Sequence, residues 1–491
     1  MKTYLAVDLG AGSGRVIAAR FDGRALEMET VNRFENVPVE LNGHIHWNIP
    51  SLLTDIRDGL AAAKAKHGDI ACVGVDTWGV DYALMDKTGR MLGLPYAYRD
   101  ARNTPENARQ VFDRFGRKAL YQATGIQFMD INTVFQLHAE RQELDSLLPK
   151  ASRLLFTPDL VNFELCGEMA NEATIASTSQ LIDVQTRDWC APLLQKLDIP
   201  ASLFSPPAKP GAMLGTLRAV PGMDGVPVAI VGAHDTASAV AAVPADPATS
   251  WGYLSTGTWA LLGVETPEPI LTDLSYELSY THEGAVNGQF RYLKNCTGMW
   301  MVQELRRAWS EGGSAPDYET LMQQAVDAKP FRSFIDPDHP PFQSPGRMPE
   351  KIVEFCEATN QPAPETQGEF YRAAMEGIVM RYREVWGELE QLTGRKRNVL
   401  HMIGGATKDA LHCQMTADAL NIAITCGPAE GAAMGNALAQ MVATGDLADF
   451  DQGRQLIRAS IEPIHWEPKD PDVWHEAFPR WQAARAAARE G

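Results

Sequence analysis

The sequence predicts an α/β protein of two domains, and three observations carry that prediction. The chain has 491 residues, 45% of them apolar, which is more than a single growing core accommodates. Apolar runs of strand length alternate with helical patterns through both halves, as strands covered by helices do. The opening plan of apolar strand, small polar turn and apolar strand recurs after residue 250, which suggests a duplicated architecture whose turns face one another across a cleft. The domains are expected over residues 1–245 and 246–491, divided at Pro244-Ala245-Asp246-Pro247-Ala248-Thr249-Ser250, a stretch of linker composition.

In chain order, Tyr4 to Asp8 reads as a strand, Leu9-Gly10-Ala11-Gly12-Ser13-Gly14 as a glycine turn, and Arg15 to Phe21 as a second strand that Asp22-Gly23 turns into a third. Small residues in the first turn let backbone amides approach a ligand, as phosphate loops do, and equally suit a plain hairpin. The turn matches neither G-x-x-x-x-G-K-[ST] nor G-x-G-x-x-G, because residue 15 is Arg. Asn48 and Pro50 suit a helix start, and Leu53, Ile56 and Leu60 carry helical spacing toward Lys66. Ile70 to Val75 is a buried strand ending in Asp76-Thr77-Trp78-Gly79-Val80-Asp81, before another strand over Ala83 to Asp86. Strand ends are where α/β folds place ligands. Two carboxylates and an indole there suit a sugar's hydroxyls and C–H face, and equally suit a core Trp78 with Asp81 in a turn.

Helical patterns follow over Thr104 to Phe115, Lys118 to Thr124 and Asn132 to Glu143, then a strand over Arg153 to Phe156 and a helix from Asp159. Pro206, Pro207 and Pro210 mark a surface loop. The apolar run Val226 to Val231 then leads into Gly232-Ala233-His234-Asp235-Thr236-Ala237-Ser238-Ala239, a strand-to-helix junction. A carboxylate at 235 either caps that helix or faces a cleft and takes a proton from substrate.

Trp251 to Val264 repeats the opening hairpin, with Ser255-Thr256-Gly257-Thr258 at its turn. Phe290 to Leu293 is a strand that reaches Lys294-Asn295, and a helix from about Gly298 to Trp309 carries Gln303. From Glu369 to Thr393, Phe370, Ala374, Ile378, Tyr382, Val385, Leu389 and Leu392 form one core-facing stripe. Val399 to Ile403 is a strand ending in Gly404-Gly405-Ala406, and Ile422 to Thr425 is another, before Gly427-Pro428-Ala429-Glu430-Gly431 and a small-residue helix to about Ala443.

Composition excludes several classes. No run approaches the roughly 18 apolar residues of a spanning helix, and the amino terminus lacks the pattern of a signal peptide, so no membrane association is expected. A net charge of -18 repels a phosphate backbone, so nucleic acid is not an expected partner. Seven scattered cysteines without a Cys-x-x-Cys pair read as reduced thiols of a cytoplasmic protein. His44, His46 and His412 beside Cys413 have no converging motif and are not expected to bind metal.

The ordered set of Asp8-to-Arg15 hairpin, Gly232-to-Ala239 junction, Ser255-to-Trp259 hairpin and Gly404-Gly405-Ala406 strand end resembles the FGGY carbohydrate kinases, a branch of the actin-like ATPases with two ribonuclease-H-like domains. Asp76-Thr77-Trp78-Gly79-Val80-Asp81, Tyr98-Arg99-Asp100, Gly125-Ile126-Gln127-Phe128 and Leu293-Lys294-Asn295 are similar to the members of that family that act on L-rhamnulose. The resemblance spans nearly the whole chain. It implies ATP-dependent phosphorylation of the C1 hydroxyl, with Asp235 as general base. It further implies that Ala11, Gly12, Ser13, Gly14 and Arg15 contact ATP phosphates, and that Thr258, Gln303 and Gly405 lie on the ATP side. Gly79, His234, Asp235, Thr236 and Asn295 would contact the sugar. Mg2+ would bridge the β- and γ-phosphates, with Asp8 the carboxylate expected near it. The chain departs from the family's usual three glycines at Ala406, where a methyl is tolerated only if φ is negative; neighbouring Lys408 is expected to be exposed. Two alternatives are a sister kinase for L-fuculose or a pentulose, and an actin-like nucleotide switch without sugar kinase activity.

Overall fold

The computed structural model describes residues 1–218, 220–313 and 315–490. It divides into two compact units, neither contiguous in sequence: the first takes in Met1–Pro244, Glu265–Tyr292 and Glu430–Ile461, the second Ala245–Val264, Leu293–Ala429 and the chain from Glu462 on.

The first unit is built on a mixed six-stranded sheet. Its order is Ala212–Thr216, Pro227–Ile230, Ile70–Thr77, Lys2–Leu9, Ser13–Phe21 and Leu26–Glu35. The strand Lys2–Leu9 runs parallel to Ile70–Thr77 and antiparallel to Ser13–Phe21. It is buried along all but its first residue, which explains an apolar run with little alternation. Its side chains still divide by pleat. Leu5, Val7 and Leu9 join the core beneath the helix Ile49–His67, whose Leu52, Leu53, Ile56 and Leu60 are buried, while Tyr4 packs with Met434, Leu438 and Met441 of the helix Gly431–Thr444 on the other face. Ile49–His67 starts where the Asn48 side chain accepts from the Ser51 amide at 3.3 Å and stops at Gly68, whose φ of 73° no β-branched residue would adopt cheaply. Pro207, read as loop, forms with Ala208 a two-residue strand against Asn171–Glu172, an edge pairing that a proline tolerates.

The helix Gly431–Thr444 crosses the short helix Asp235–Ala241 almost backbone to backbone. A Cβ on Gly435 would stand 1.7 Å from the Ser238 carbonyl oxygen, so only glycine permits the approach. Gly435→Ala is therefore expected to cost about 3 kcal/mol or more, read as a lowered Tm, and to reduce turnover because the helix it displaces begins at Asp235.

In the second unit the strands Trp251–Thr256 and Val399–Gly404 lie parallel, with Trp259–Thr266 antiparallel on one side and Ala423–Cys426 and Ile464–Trp466 on the other. The long helix Gln367–Thr393 opens on a capping box between Thr366 and Glu369 and buries Phe370, Ala374, Ile378, Tyr382, Val385 and Leu389. Both units thus combine mixed sheets with covering helices, the α/β class read from the sequence. No helix among the described residues is long and apolar enough to cross a membrane.

Candidate active site

The first hairpin is closed by Gly10 donating to the Ser13 carbonyl at 2.8 Å, and braced by Asn36, whose side chain donates to the Gly10 carbonyl at 3.0 Å. This leaves Ala11 and Gly12 at its tip. The glycines serve different ends: a Cβ on Gly14 would strike the Phe34 ring at 2.2 Å, whereas one on Gly12 would meet no protein atom within 4 Å. Gly14 is required by packing, and Gly12 keeps the tip open to whatever approaches it.

At the base of this hairpin, strand register puts Asp8 opposite Arg15 on one side and opposite Asp76 on the other. Arg15 donates through Nη2 to Asp8 and through Nη1 to Glu430, the residue that leads the helix Gly431–Thr444. Asp76 Oδ2 accepts from Asn436 Nδ2 at 2.5 Å, while its Oδ1 is buried without a hydrogen-bond partner among the described residues. Burial first, then the neighbouring Asp235 and Glu430 charges, push the Asp8 carboxyl up against the opposing pull of Arg15. Asp76 is pushed up further by burial and by Asp8. Four carboxylates sharing one guanidinium make a site that favours added positive charge. Among the described residues no three acidic, His or Cys side chains converge as a ready metal cage. The donor set of Asp8 and the orphaned Asp76 oxygen fits Mg2+, which keeps most of its shell as water and phosphate oxygen.

Asp235 is brought to the same cluster by a backbone clamp. Thr77 donates to the Ala233 carbonyl at 2.8 Å, and Thr77 and His234 form a parallel bridge that ties the junction to the end of the Asp76 strand. Asp235 Oδ1 accepts from the Thr236 amide at 2.5 Å and hydroxyl at 3.1 Å. Its Oδ2 takes no hydrogen bond from any described residue, and the side chain is 32% exposed. The helix cap falls at His234 and has no side-chain hydrogen bond, so the Asp235 carboxylate is not a cap: one oxygen is tethered and the other open, and it holds a fixed direction with a free lone pair. His234 is buried beside it, with its Nε2 3.5 Å from Asp235 Oδ1.

Gly79 sits in a turn that the surroundings force. Val80 has φ of 68°, a left-handed conformation costing a β-branched residue roughly 1–2 kcal/mol. It is held there by its own amide donating to Thr178 Oγ1 at 3.1 Å and its carbonyl accepting from Thr133 Oγ1 at 2.6 Å. The sugar-facing reading of Trp78 and Asp81 fails. Trp78 is buried, and Asp81 Oδ2 accepts from the indoles of Trp47 at 2.6 Å and Trp78 at 3.0 Å, with Gln136 on Oδ1 at 3.0 Å. Asp81 is a buried anchor. Burial raises its carboxyl to about 6, against hydrogen bonds that lower it. A folded value above the ordinary 3.8 means that this group's contribution to stability is fully present below about pH 4 and is lost as pH rises through about 6. Between pH 5 and 6 the wild type is expected to lose about 1 kcal/mol relative to Asp81→Asn, measured as a difference in urea midpoints.

The remaining candidates belong to the second unit. Thr258 Oγ1 donates to Gln303 Oε1 at 3.3 Å, and the helix Trp300–Glu311 that carries Gln303 docks through the Met299 amide on the Gly257 carbonyl at 2.9 Å. Thr258 and Gln303 thus form one feature. Asn295 is half-buried within the strand Phe290–Thr297. At the Val399–Gly404 strand end only Gly404 takes positive φ, 95°, where a Cβ would stand 2.3 Å from the Thr256 carbonyl oxygen. Gly405 and Ala406 lie outside the left-handed region, so the alanine is accommodated without strain; Gly405 and Lys408 are exposed.

The structure adds residues that sequence reasoning passed over. Asp76 was visible in its motif but read toward the sugar. Glu430 and Asn436 come from a segment more than 400 positions from Asp8, marked only by the small residues around them. Glu283 and Arg291, which contact His234, carried no signal.

A glycine hairpin bearing Asp8 and Arg15, set beside a helix-leading Asp235 on a mixed α/β sheet, is the arrangement of a phosphotransferase, and the chain belongs to the FGGY family of carbohydrate kinases. The N-terminal domain of that family matches residues 3–242 and the C-terminal domain residues 252–444. As a carbohydrate kinase it uses ATP as co-substrate. The chain is 40% identical over 481 residues to a rhamnulokinase of Bacteroides thetaiotaomicron, covering 97% of this chain and 98% of that one. It is 38% identical over 468 residues to a rhamnulokinase of Enterococcus faecalis, covering 94% and 93%. In fold it is similar to a ligand-bound xylulose kinase from Lactobacillus acidophilus, with a TM-score of 0.82 at 15% identity and 99% and 98% of the two chains covered.

Proposed function

We propose that the protein transfers the γ-phosphoryl group of ATP to the C1 hydroxyl of L-rhamnulose, giving L-rhamnulose 1-phosphate and ADP in L-rhamnose breakdown. The observation that supports the chemistry is Asp235, with one oxygen held by Thr236 and the other open, in electrostatic contact with Asp8 and Asp76. The choice of sugar rests on the likeness to rhamnulokinases over nearly the full chain.

In this reading the Asp235 carboxylate takes the C1 hydroxyl proton on Oδ2 as the hydroxyl oxygen bonds to the γ-phosphorus and the bond to the ADP oxygen breaks. Phosphoryl transfer asks mainly for alignment and charge neutralisation. Arg15 leaves its carboxylate partners to meet phosphate oxygens, helped by the amides of Ala11, Gly12, Ser13 and Gly14, and Thr258, Gln303 and Gly405 contact the nucleotide. Gly79, His234, Thr236 and Asn295 position the sugar. Asp8 and Asp76 would hold Mg2+, which when bound would neutralise phosphate charge. The seven cysteines are all buried and free, which suits a reducing compartment, and we place the protein in the cytoplasm.

The test is ADP release from Mg-ATP with and without L-rhamnulose, followed by NMR of the product. Sugar-dependent ADP with phosphorus coupled to the C1 protons is expected. ATP turnover that ignores the sugar would overturn the kinase reading in favour of a nucleotide switch.

A further inference from the structure

His234 has two ring nitrogens, and its neighbours decide which carries the proton. Arg291 Nη2 lies 2.9 Å from Nδ1. Nδ1 also lies 3.2 Å from Glu283 Oε2, but only the Arg291 contact has hydrogen-bond geometry, and a guanidinium has no acceptor, so Nδ1 offers its lone pair and the proton sits on Nε2, the nitrogen 3.5 Å from Asp235 Oδ1. The guanidinium cannot swing away. Its Nε donates to the Gly284 carbonyl at 3.0 Å and its Nη2 to Glu283 Oε2 at 2.8 Å, and the Gly284 amide is itself held by Ser177 Oγ at 2.8 Å. Arg291 is fully buried and Glu283 nearly so. Burial would raise the Glu283 carboxyl, but the charge of Arg291 beside it opposes this and holds it below the usual carboxylate range, so the bracing pair stays ionised. The histidine's other attachment, its backbone amide on Thr174 Oγ1 at 3.2 Å, fixes the ring's root.

From this geometry we propose that Arg291, braced by Glu283, is a positioning residue that locks His234 in the Nε2–H form, so that His234 steers Asp235 Oδ1 and leaves Oδ2 as the oxygen that faces the substrate hydroxyl. Neither Glu283 nor Arg291 touches the reacting atoms. The proposal rests on the reading of Asp235 as base, and deepens it: Thr236 holds Oδ1, and His234, fixed by a chain of two hydrogen bonds running back into the core, faces the same oxygen at 3.5 Å.

Long-range proton–nitrogen NMR of protein labelled with 15N-histidine, with the His234 signals assigned from a His234→Gln sample, reads the tautomer directly in the wild type. We expect Nε2 to be the protonated nitrogen and Nδ1 the bare one. In Arg291→Met the two forms should mix, kcat should fall roughly 10- to 100-fold with the KM for ATP unchanged, and Arg291→Lys, which keeps a donor, should restore part of both. A wild-type His234 protonated on Nδ1 would overturn the proposal whether or not any variant folds. So would an Arg291→Met enzyme that loses activity with its tautomer intact. If L-rhamnulose is not phosphorylated while Nε2 carries the proton, the substrate assignment fails and the tautomer lock stands.

Discussion

Replacing Asp235 with asparagine is expected to lower kcat by roughly 10²- to 10⁴-fold, the range a positioned base contributes, while the enzyme still binds ATP and sugar. The amide keeps the shape of the carboxylate and can keep the Thr236 contacts through its oxygen. It cannot accept the C1 proton. Binding titrations alongside single-turnover rates separate the two effects: unchanged affinities with a collapsed chemical step are expected, and near-normal turnover in Asp235→Asn would remove this residue from the mechanism.

Arg15→Met is expected to be nearly as damaging, and for two reasons. The guanidinium is the cation that the transferring phosphoryl group would meet, and loss of one such preorganised donor costs on the order of 10²- to 10³-fold in kcat. It is also the group that lowers Asp8 in a buried setting where Asp235 and Glu430 raise it. Without it the Asp8 carboxyl rises further and takes up a proton more readily. The variant should therefore show a weakened response to Mg2+ as well as slow turnover, measured by titrating Mg2+ at saturating ATP and sugar. A variant with normal kcat and an unaltered Mg2+ requirement would show that Arg15 serves only to join the first hairpin to Glu430.

What was legible in the sequence was whatever local chain geometry dictates. The glycine turn between two apolar runs reads as a hairpin, and its strands, expected over Tyr4 to Asp8 and Arg15 to Phe21, extend a little further at Lys2–Leu9 and Ser13–Phe21. The junction before Asp235 was equally plain, because an apolar run meeting a small-residue run changes period there. Orientation was not legible. Spacing placed Trp78 and Asp81 at a strand end, but the direction of Asp81 is set by the Trp47 and Gln136 side chains, which lie far away in sequence. The company of Asp8 was hidden for the same reason. Glu430 and Asn436 reach it only because residues 430–461 return to the first unit, and the close crossing that brings them there depends on one missing Cβ, at Gly435. Glu283 and Arg291 lie on another returning segment, residues 265–292, and no residue pattern announces that a buried arginine will face a histidine fifty-odd positions away.

The measurement that bears most directly on the central claim is kcat/KM for a panel of sugars, L-rhamnulose, L-fuculose, L-ribulose, L-xylulose, D-xylulose and glycerol, under saturating Mg-ATP. A site built to hydrogen-bond each hydroxyl discriminates by large factors, because a missing partner leaves a buried polar group unpaired. L-rhamnulose is expected to lead the panel clearly. A higher kcat/KM for any other member would contradict the assignment of substrate, while leaving the family, the fold and Asp235 where they are.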